Sequence, residues 1–148
     1  MRLCVSALRP DCIIHLGDMF ADGRVLSEEN PGVPFYQVPG NCDMYRCAPE
    51  EPEIRIVQIG GVLFYLTHGH RHQVKSFLHL LLRDARTSGA AAVLYGHTHM
   101  ENCYQEPDGL WVLNPGSCGY SGGTAGIVVV ENRKIQSCRI IRHSDLEG

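Results

Sequence analysis

Residues 62–99 read VLFYLTHGHRHQVKSFLHLLLRDARTSGAAAVLYGHTH. The apolar run Val62–Leu66 has the length and character of a buried strand and leads into His68-Gly69-His70-Arg71-His72. The spacing of Val74, Phe77, Leu78, Leu81, Leu82 and Ala85 then predicts an amphipathic helix over residues 73–86, with Gly89 as its C-terminal stop. A second apolar run, Ala91–Tyr95, leads into Gly96-His97-Thr98-His99. Strand, helix and strand in this order predict an α/β fold. A histidine-bearing loop then follows each strand, where open α/β sheets gather their ligands.

Toward the amino end the arrangement repeats. Cys12–Leu16 leads into Gly17-Asp18, and Phe35–Val38 into Gly40-Asn41-Cys42-Asp43, so four apolar runs each end at a polar motif. A helix is expected between Phe20 and Glu28. Another is expected over residues 1–9, with Met1, Leu3, Cys4, Ala7 and Leu8 apolar and Pro10 as its stop. Met44–Glu53 reads as an exposed loop. Beyond His99, strands are expected at 103–105, 110–113, 126–130 and 135–141. A helix that runs into a parallel strand normally follows another strand, and none precedes residue 1, so a first strand is expected to be missing. Its loss would expose sheet backbone and favour self-association into a homo-oligomer.

The 148 residues fit a single domain, 1–148. A formal charge of −3 argues against non-specific attraction to nucleic acid or anionic lipid. The seven cysteines contain no Cys-x-x-Cys pair, which excludes a zinc ribbon or thioredoxin-type motif and fits a reducing compartment. With no signal peptide and no apolar run of membrane-spanning length, a cytoplasmic location is expected.

The motifs supply a carboxylate, an amide oxygen and several imidazoles, a donor set suited to two divalent metals that share a carboxylate. Singly, Gly17-Asp18 and Gly40-Asn41-Cys42-Asp43 are also ordinary turn signals. Three imidazoles in five residues at 68–72 are an uneconomical turn, and His97 and His99 need a loop that curls around something. His15 reads as a core histidine, His79 and His143 as surface residues, and Cys42 as a packed thiol.

As an ordered set, PDCIIHLGD, VPGNCD, THGHRH, YGHTH and LNPGS resemble the calcineurin-like metallophosphoesterase superfamily, within it the small bacterial and archaeal phosphodiesterases. The resemblance runs from about Leu8 to Ile141 and implies a four-layer αββα sandwich, here without its first strand. Carried over position by position, Asp18 would bridge two metals, Asn41, His68 and His97 would complete one site, and His99 would belong to the other. Asn41, Asp43 and His70 form the implied catalytic set, and Asn114 to Ser117 a loop near the substrate entrance. The implied reaction is hydrolysis of a phosphodiester by a metal-bound hydroxide, with Mn²⁺ the expected ion and Fe, Zn²⁺ or Ni²⁺ also compatible. Cys42 stands where many family phosphatases have a histidine, which favours diesters. The family's opening Asp-x-His does not occur before Asp18, which leaves one site with four ligands and the other with Asp18 and His99, so weakened turnover is expected. The alternative is a non-catalytic interaction scaffold, as in the retromer-subunit branch. No membrane partner and no strong nucleic-acid signature are implied.

Overall fold

The computed structural model describes residues 1–43, 50–119 and 122–146. Helix α1 (Arg2–Leu8) ends at Arg9, whose φ of 46° is left-handed, immediately before Pro10. It buries only Cys4, whereas Leu3 and Leu8, expected on its packed face, are exposed. Strand β1 (Ile13–His15) leads to α2 (Phe20–Glu29), which buries Phe20, Gly23 and Leu26. Strand β2 (Phe35–Gln37) returns parallel to β1. A Cβ on Gly23 would lie 2.4 Å from the end of the Gln37 side chain, which would have to move aside.

Strand β3 (Ile54–Ile59) is an element that the sequence reading does not assign. It is the edge of the larger sheet, and Ile54 and Ile56 remain exposed, so its apolar residues do not mark it as a buried run. It pairs antiparallel with β4 (Val62–Thr67).

The helix expected over 73–86 forms only as α3 (His79–Thr87). Before it, Gly69 (φ 101°) and Gln73 (φ 55°) flank a 3-10 turn at His70–His72, and buried Val74 packs back on Gly69. Left-handed residues cannot continue an α-helix, so the apolar spacing of Val74 and Phe77 serves tight turns instead. Phe77 is exposed and stacks on His79.

The chain continues through β5 (Ala92–Leu94), β6 (Glu101–Gln105), β7 (Trp111–Pro115), β8 (Thr124–Glu131) and β9 (Lys134–Arg142). The five-stranded sheet has the order β3-β4-β5-β7-β6, with β4, β5 and β7 parallel. On one face α3 packs Leu81, Leu82 and Ala85 against Tyr65, Val93 and Val112. The other face, with Phe64, Leu66, Leu94 and Leu113, receives Ile14 and Tyr36 from β1–β2, and Val128, Val130, Ile135 and Ile140 from β8–β9. Helix α2 packs on β2, and α1, linked to α2 by Arg2 and Glu29, packs against a 3-10 turn at His143–Leu146. The result is the αββα layering expected from the sequence, with one β layer in two separately paired pieces. Among the described residues no helix is long and apolar enough to cross a membrane.

Candidate metal centre

The loops after β1, β2, β4 and β5 meet at one edge of the sandwich, and glycine makes the approach possible. A Cβ on Gly17 (φ 100°) would sit 2.6 Å from His68 Nδ1 and 2.8 Å from the Gly40 nitrogen. A Cβ on Gly40 would sit 2.2 Å from Asp18 Oδ1. Asp18, Met19, His97 and His99 all have left-handed backbones, with φ of 59°, 54°, 68° and 59°. Such conformations cost free energy in non-glycine residues and gather where surrounding structure holds a site in place.

His68 sits at the centre and is 2% exposed. Its Nδ1 lies 2.7 Å from the Leu16 carbonyl, which can only accept, so Nδ1 carries the proton. Burial lowers the His68 pKa, against the opposing pull of the Leu16 bond and Asp18. In this neutral tautomer Nε2 bears a lone pair. That nitrogen faces Asn41 Oδ1 at 3.0 Å, His97 Nδ1 at 3.2 Å and Asp18 Oδ2 at 3.5 Å. His99 Nε2 approaches the same Asp18 oxygen at 3.8 Å from an exposed position. The other Asp18 oxygen accepts the Cys42 N–H at 3.1 Å.

The lone pairs of Asn41 Oδ1 and Asp18 Oδ2 face that of His68 Nε2, and such pairs repel unless a cation lies among them. Ligands about 2.1 Å from an ion lie about 3.0 Å apart at adjacent octahedral positions and about 3.4 Å apart in a tetrahedron. The Asn41 and His97 separations from His68 Nε2 fall in that range and the Asp18 separation lies just beyond it, so Asp18, Asn41, His68 and His97 could hold a divalent ion. Among the described residues no group of three or more His, Cys, Asp or Glu side chains already stands in a metal-holding arrangement.

The electrostatics agree with that chemistry. Burial, then neighbouring His68, Lys75 and His70, push the His97 pKa down to about 4. The Asp18 carboxyl is held below its ordinary value: burial opposes this, but His68, the Cys42 N–H and His99 outweigh it. A carboxylate beside neutral imidazoles is the protonation state that metal coordination requires.

Asp43 does not face the cluster. Its buried carboxylate accepts the Gly40 N–H at 2.8 Å and the Phe20 N–H at 3.0 Å, fixing the Asn41 turn to the start of α2. The His70 ring lies 5.4 Å from that of His68 and 6.1 Å from that of His97, with Nδ1 buried and unpartnered. His72 turns away to Tyr65 (3.2 Å) and Asp84 (3.4 Å).

His15 is the core histidine expected, held by Gln37 and the Gly17 N–H. His79 is exposed, whereas His143 is half-buried with Nε2 covered rather than on the surface. Cys42 is exposed, not packed. Asn114 is fully buried on β7 instead of lying in an entrance loop. Its amide donates to the Gly96 carbonyl (3.0 Å) and Thr98 Oγ1 (2.9 Å), which pins the loop bearing His97 and His99. Sequence reasoning missed this supporting role; the signal was an Asn among apolar strand residues.

Comparison with known proteins agrees with this layout. The family model of the calcineurin-like phosphoesterase superfamily domain matches residues 3–134. A probable metallophosphoesterase of Mycoplasma pneumoniae is 32% identical over 111 residues, which cover 73% of this chain and 64% of that protein. The matched region is thus less than two thirds of that relative's length. A phosphodiesterase of Methanocaldococcus jannaschii is 31% identical over 144 residues, covering 88% of this chain and 82% of that one. Among solved structures, a conserved uncharacterized protein of Streptococcus pneumoniae, described as a predicted phosphoesterase, has a TM-score of 0.72 at 24% identity, covering 93% of this chain and 77% of that one. Vacuolar protein sorting 29 of Cryptosporidium parvum has a TM-score of 0.68 at 19% identity, covering 95% and 86%. Both structural likenesses bear on the fold alone. With four motif loops converging on one edge of an αββα sandwich, and a family match over most of its length, the chain belongs to the calcineurin-like phosphoesterase superfamily.

Proposed function

We propose that this chain is a metal-dependent phosphoesterase acting on phosphodiesters. The observation that carries the reading is the convergence of Asp18, Asn41 and His97 on the unprotonated Nε2 of His68. Asp18, Asn41, His68 and His97 would hold one cation, and Asp18 with His99 would begin a second site. The oxygen and imidazole donors suit Mn²⁺, with Fe, Zn²⁺ and Ni²⁺ also compatible. A cation bound there would supply positive charge for the phosphoryl oxygens and acidify water at the site.

The chain's own residues orient and exclude. The Leu16 carbonyl fixes the His68 tautomer, Asn114 fixes the His97 loop, and Asp43 fixes Asn41. His70, beside both central imidazoles, would donate a hydrogen bond to a phosphoryl oxygen. Cys42 sits at the open rim, and the Asp18 carboxylate, with some burial, raises its thiol pKa. A thiol so raised is a weak proton donor, which favours diesters with good leaving groups over unactivated monoesters. The relative named a phosphodiesterase supports the same substrate class.

The test is hydrolysis of bis(p-nitrophenyl) phosphate with and without Mn²⁺. Turnover that requires the metal and disappears in Asp18→Ala supports the proposal; absence of turnover in a chain shown to bind Mn²⁺ overturns it. That second result would favour a non-catalytic interaction scaffold. The scaffold reading draws on the fold likeness to vacuolar protein sorting 29 and on the sparse second site.

A further inference from the structure

Among the described residues, His70 stands at the metal centre with no hydrogen bond of its own to hold its ring. Its Nδ1 is buried without a partner, and its Nε2 lies 3.9 Å from Glu53 Oε1, beyond hydrogen-bond reach. Glu53 is engaged by Arg71 instead. The His70 ring still faces those of His68 and His97, at centroid distances of 5.4 and 6.1 Å. Its direction therefore depends on the backbone that carries it, the 3-10 turn His70–His72. Residues two apart in such a turn diverge by about a third of a revolution. His70 thus meets the centre while His72 is buried on another side, between β4 and α3. There His72 Nε2 lies 3.2 Å from the Tyr65 hydroxyl and 3.4 Å from Asp84 Oδ2. The Tyr65 and His72 rings also meet edge to face, with centroids 6.0 Å apart. His72 Nδ1 is buried and unpartnered, so every polar contact of this ring runs through Nε2. Tyr65 packs in one core with Leu81, Leu82 and Ala85 of α3, which makes the anchor part of the rigid sandwich.

We propose that His72 is the positioning residue for His70, its imidazole anchored by the Tyr65 hydroxyl and the Asp84 carboxylate so that the shared turn aims His70 at the centre. This rests on the phosphoesterase reading for the task of His70 at a phosphoryl oxygen. A hydrogen-bonding group contributes to turnover only when it is held in the productive direction. His70 has no side-chain bond to supply that, and His72 supplies it from the far side of the turn. His72 touches neither the metal position nor the substrate.

The test is a double-mutant cycle on His72→Phe and His70→Gln, read with bis(p-nitrophenyl) phosphate in the Mn²⁺-supplemented chain. Phenylalanine keeps the buried ring and removes its nitrogens. His72→Phe alone is expected to lower kcat about tenfold, with KM and Mn²⁺ affinity within about twofold of the parent. In the His70→Gln background the same change should leave kcat unaltered, because it acts only through His70. Tyr65→Phe, which removes one hydroxyl, should move kcat in the same direction, and it decides the question if His72→Phe does not fold. His72→Gln can still meet that hydroxyl and should restore kcat to within about threefold of the parent. His79→Gln, exposed at the start of α3, should match the parent. Ring ¹H–¹⁵N spectra of the metal-free chain give a reading that needs no turnover: the His70 signals should shift in His72→Phe and Tyr65→Phe. An unchanged kcat, an equal loss in both backgrounds, or a matching loss of Mn²⁺ affinity overturns the proposal. If no chain hydrolyses the diester, the phosphoesterase reading fails. Shifted His70 signals would then leave the positioning role standing, and unmoved signals would overturn it as well.

Discussion

His68 donates its Nδ1 proton to the carbonyl of Leu16 at 2.7 Å, joining the loop after β4 to the end of β1. One bond thus sets the protonation of a buried imidazole and the spacing of two motif loops 52 residues apart. Second partners of metal-facing histidines commonly act in this way.

His68→Ala should therefore lose metal and stability together. It removes the central donor and leaves a buried void beside an unpaired carbonyl, costing about 2–4 kcal/mol. Urea unfolding and Mn²⁺ titration measure the two effects. A variant with unchanged unfolding midpoint and metal affinity would show that His68 is not the hub.

Gly40→Ala should be more damaging than its size suggests. The new methyl would meet the Asp18 backbone nitrogen at 2.5 Å, so loop and carboxylate must both shift. A loss of about 2 kcal/mol or more is expected, with weakened metal binding. Gly32→Ala, where a Cβ meets nothing within 4 Å, should stay within about 0.5 kcal/mol of the parent.

Metal stoichiometry should be unequal. Elemental analysis after dialysis against Mn²⁺ is expected to give one tightly held ion per chain, with a second appearing only at high metal concentration. The reason is the short donor set of the second position, Asp18 and His99. Asp18→Ala should remove both, and two tightly held ions in the parent would contradict the assignment.

The metal-free chain should lose stability on mild acidification. His97 has its pKa depressed to about 4 in the folded state, by burial and then by His68, and His68 is lowered in the same direction by burial. An unfolded histidine titrates near 6.5. Between about pH 6.5 and 4 the unfolded chain therefore binds more protons, so stability is full above 6.5 and falls as pH drops toward 4. His97→Gln should flatten that slope in thermal melts recorded across the window. An unchanged slope would place the titrating groups elsewhere.

Some of this was legible before any coordinates. Val62–Leu66 and Ala91–Tyr95 are short apolar runs bounded by glycine and histidine, and both became central parallel strands because nothing but a buried sheet accommodates them. Strand β3 was not legible, because an edge strand with Ile54 and Ile56 in solvent lacks the sign of burial. The early part of the expected helix failed for a different reason. Apolar spacing at Val74 and Phe77 satisfies a helical period, yet the backbone takes its direction from Gly69 and Gln73, whose left-handed angles break the helix.

The same division holds at the site. The sequence alone determined which donor groups exist and their order, since residue chemistry and strand-ending motifs are local properties. It also placed them after strands, where loops of an α/β sandwich collect. Only the tertiary structure decided which donors meet. It gave the expected holding role of Asp43 its partners, the Gly40 and Phe20 N–H groups, and sent His72 to Tyr65 and Asp84. It made Asn114 a hidden support of the loop that bears His97 and His99. Those choices depend on packing between segments far apart in the chain, and no local pattern of residues encodes them.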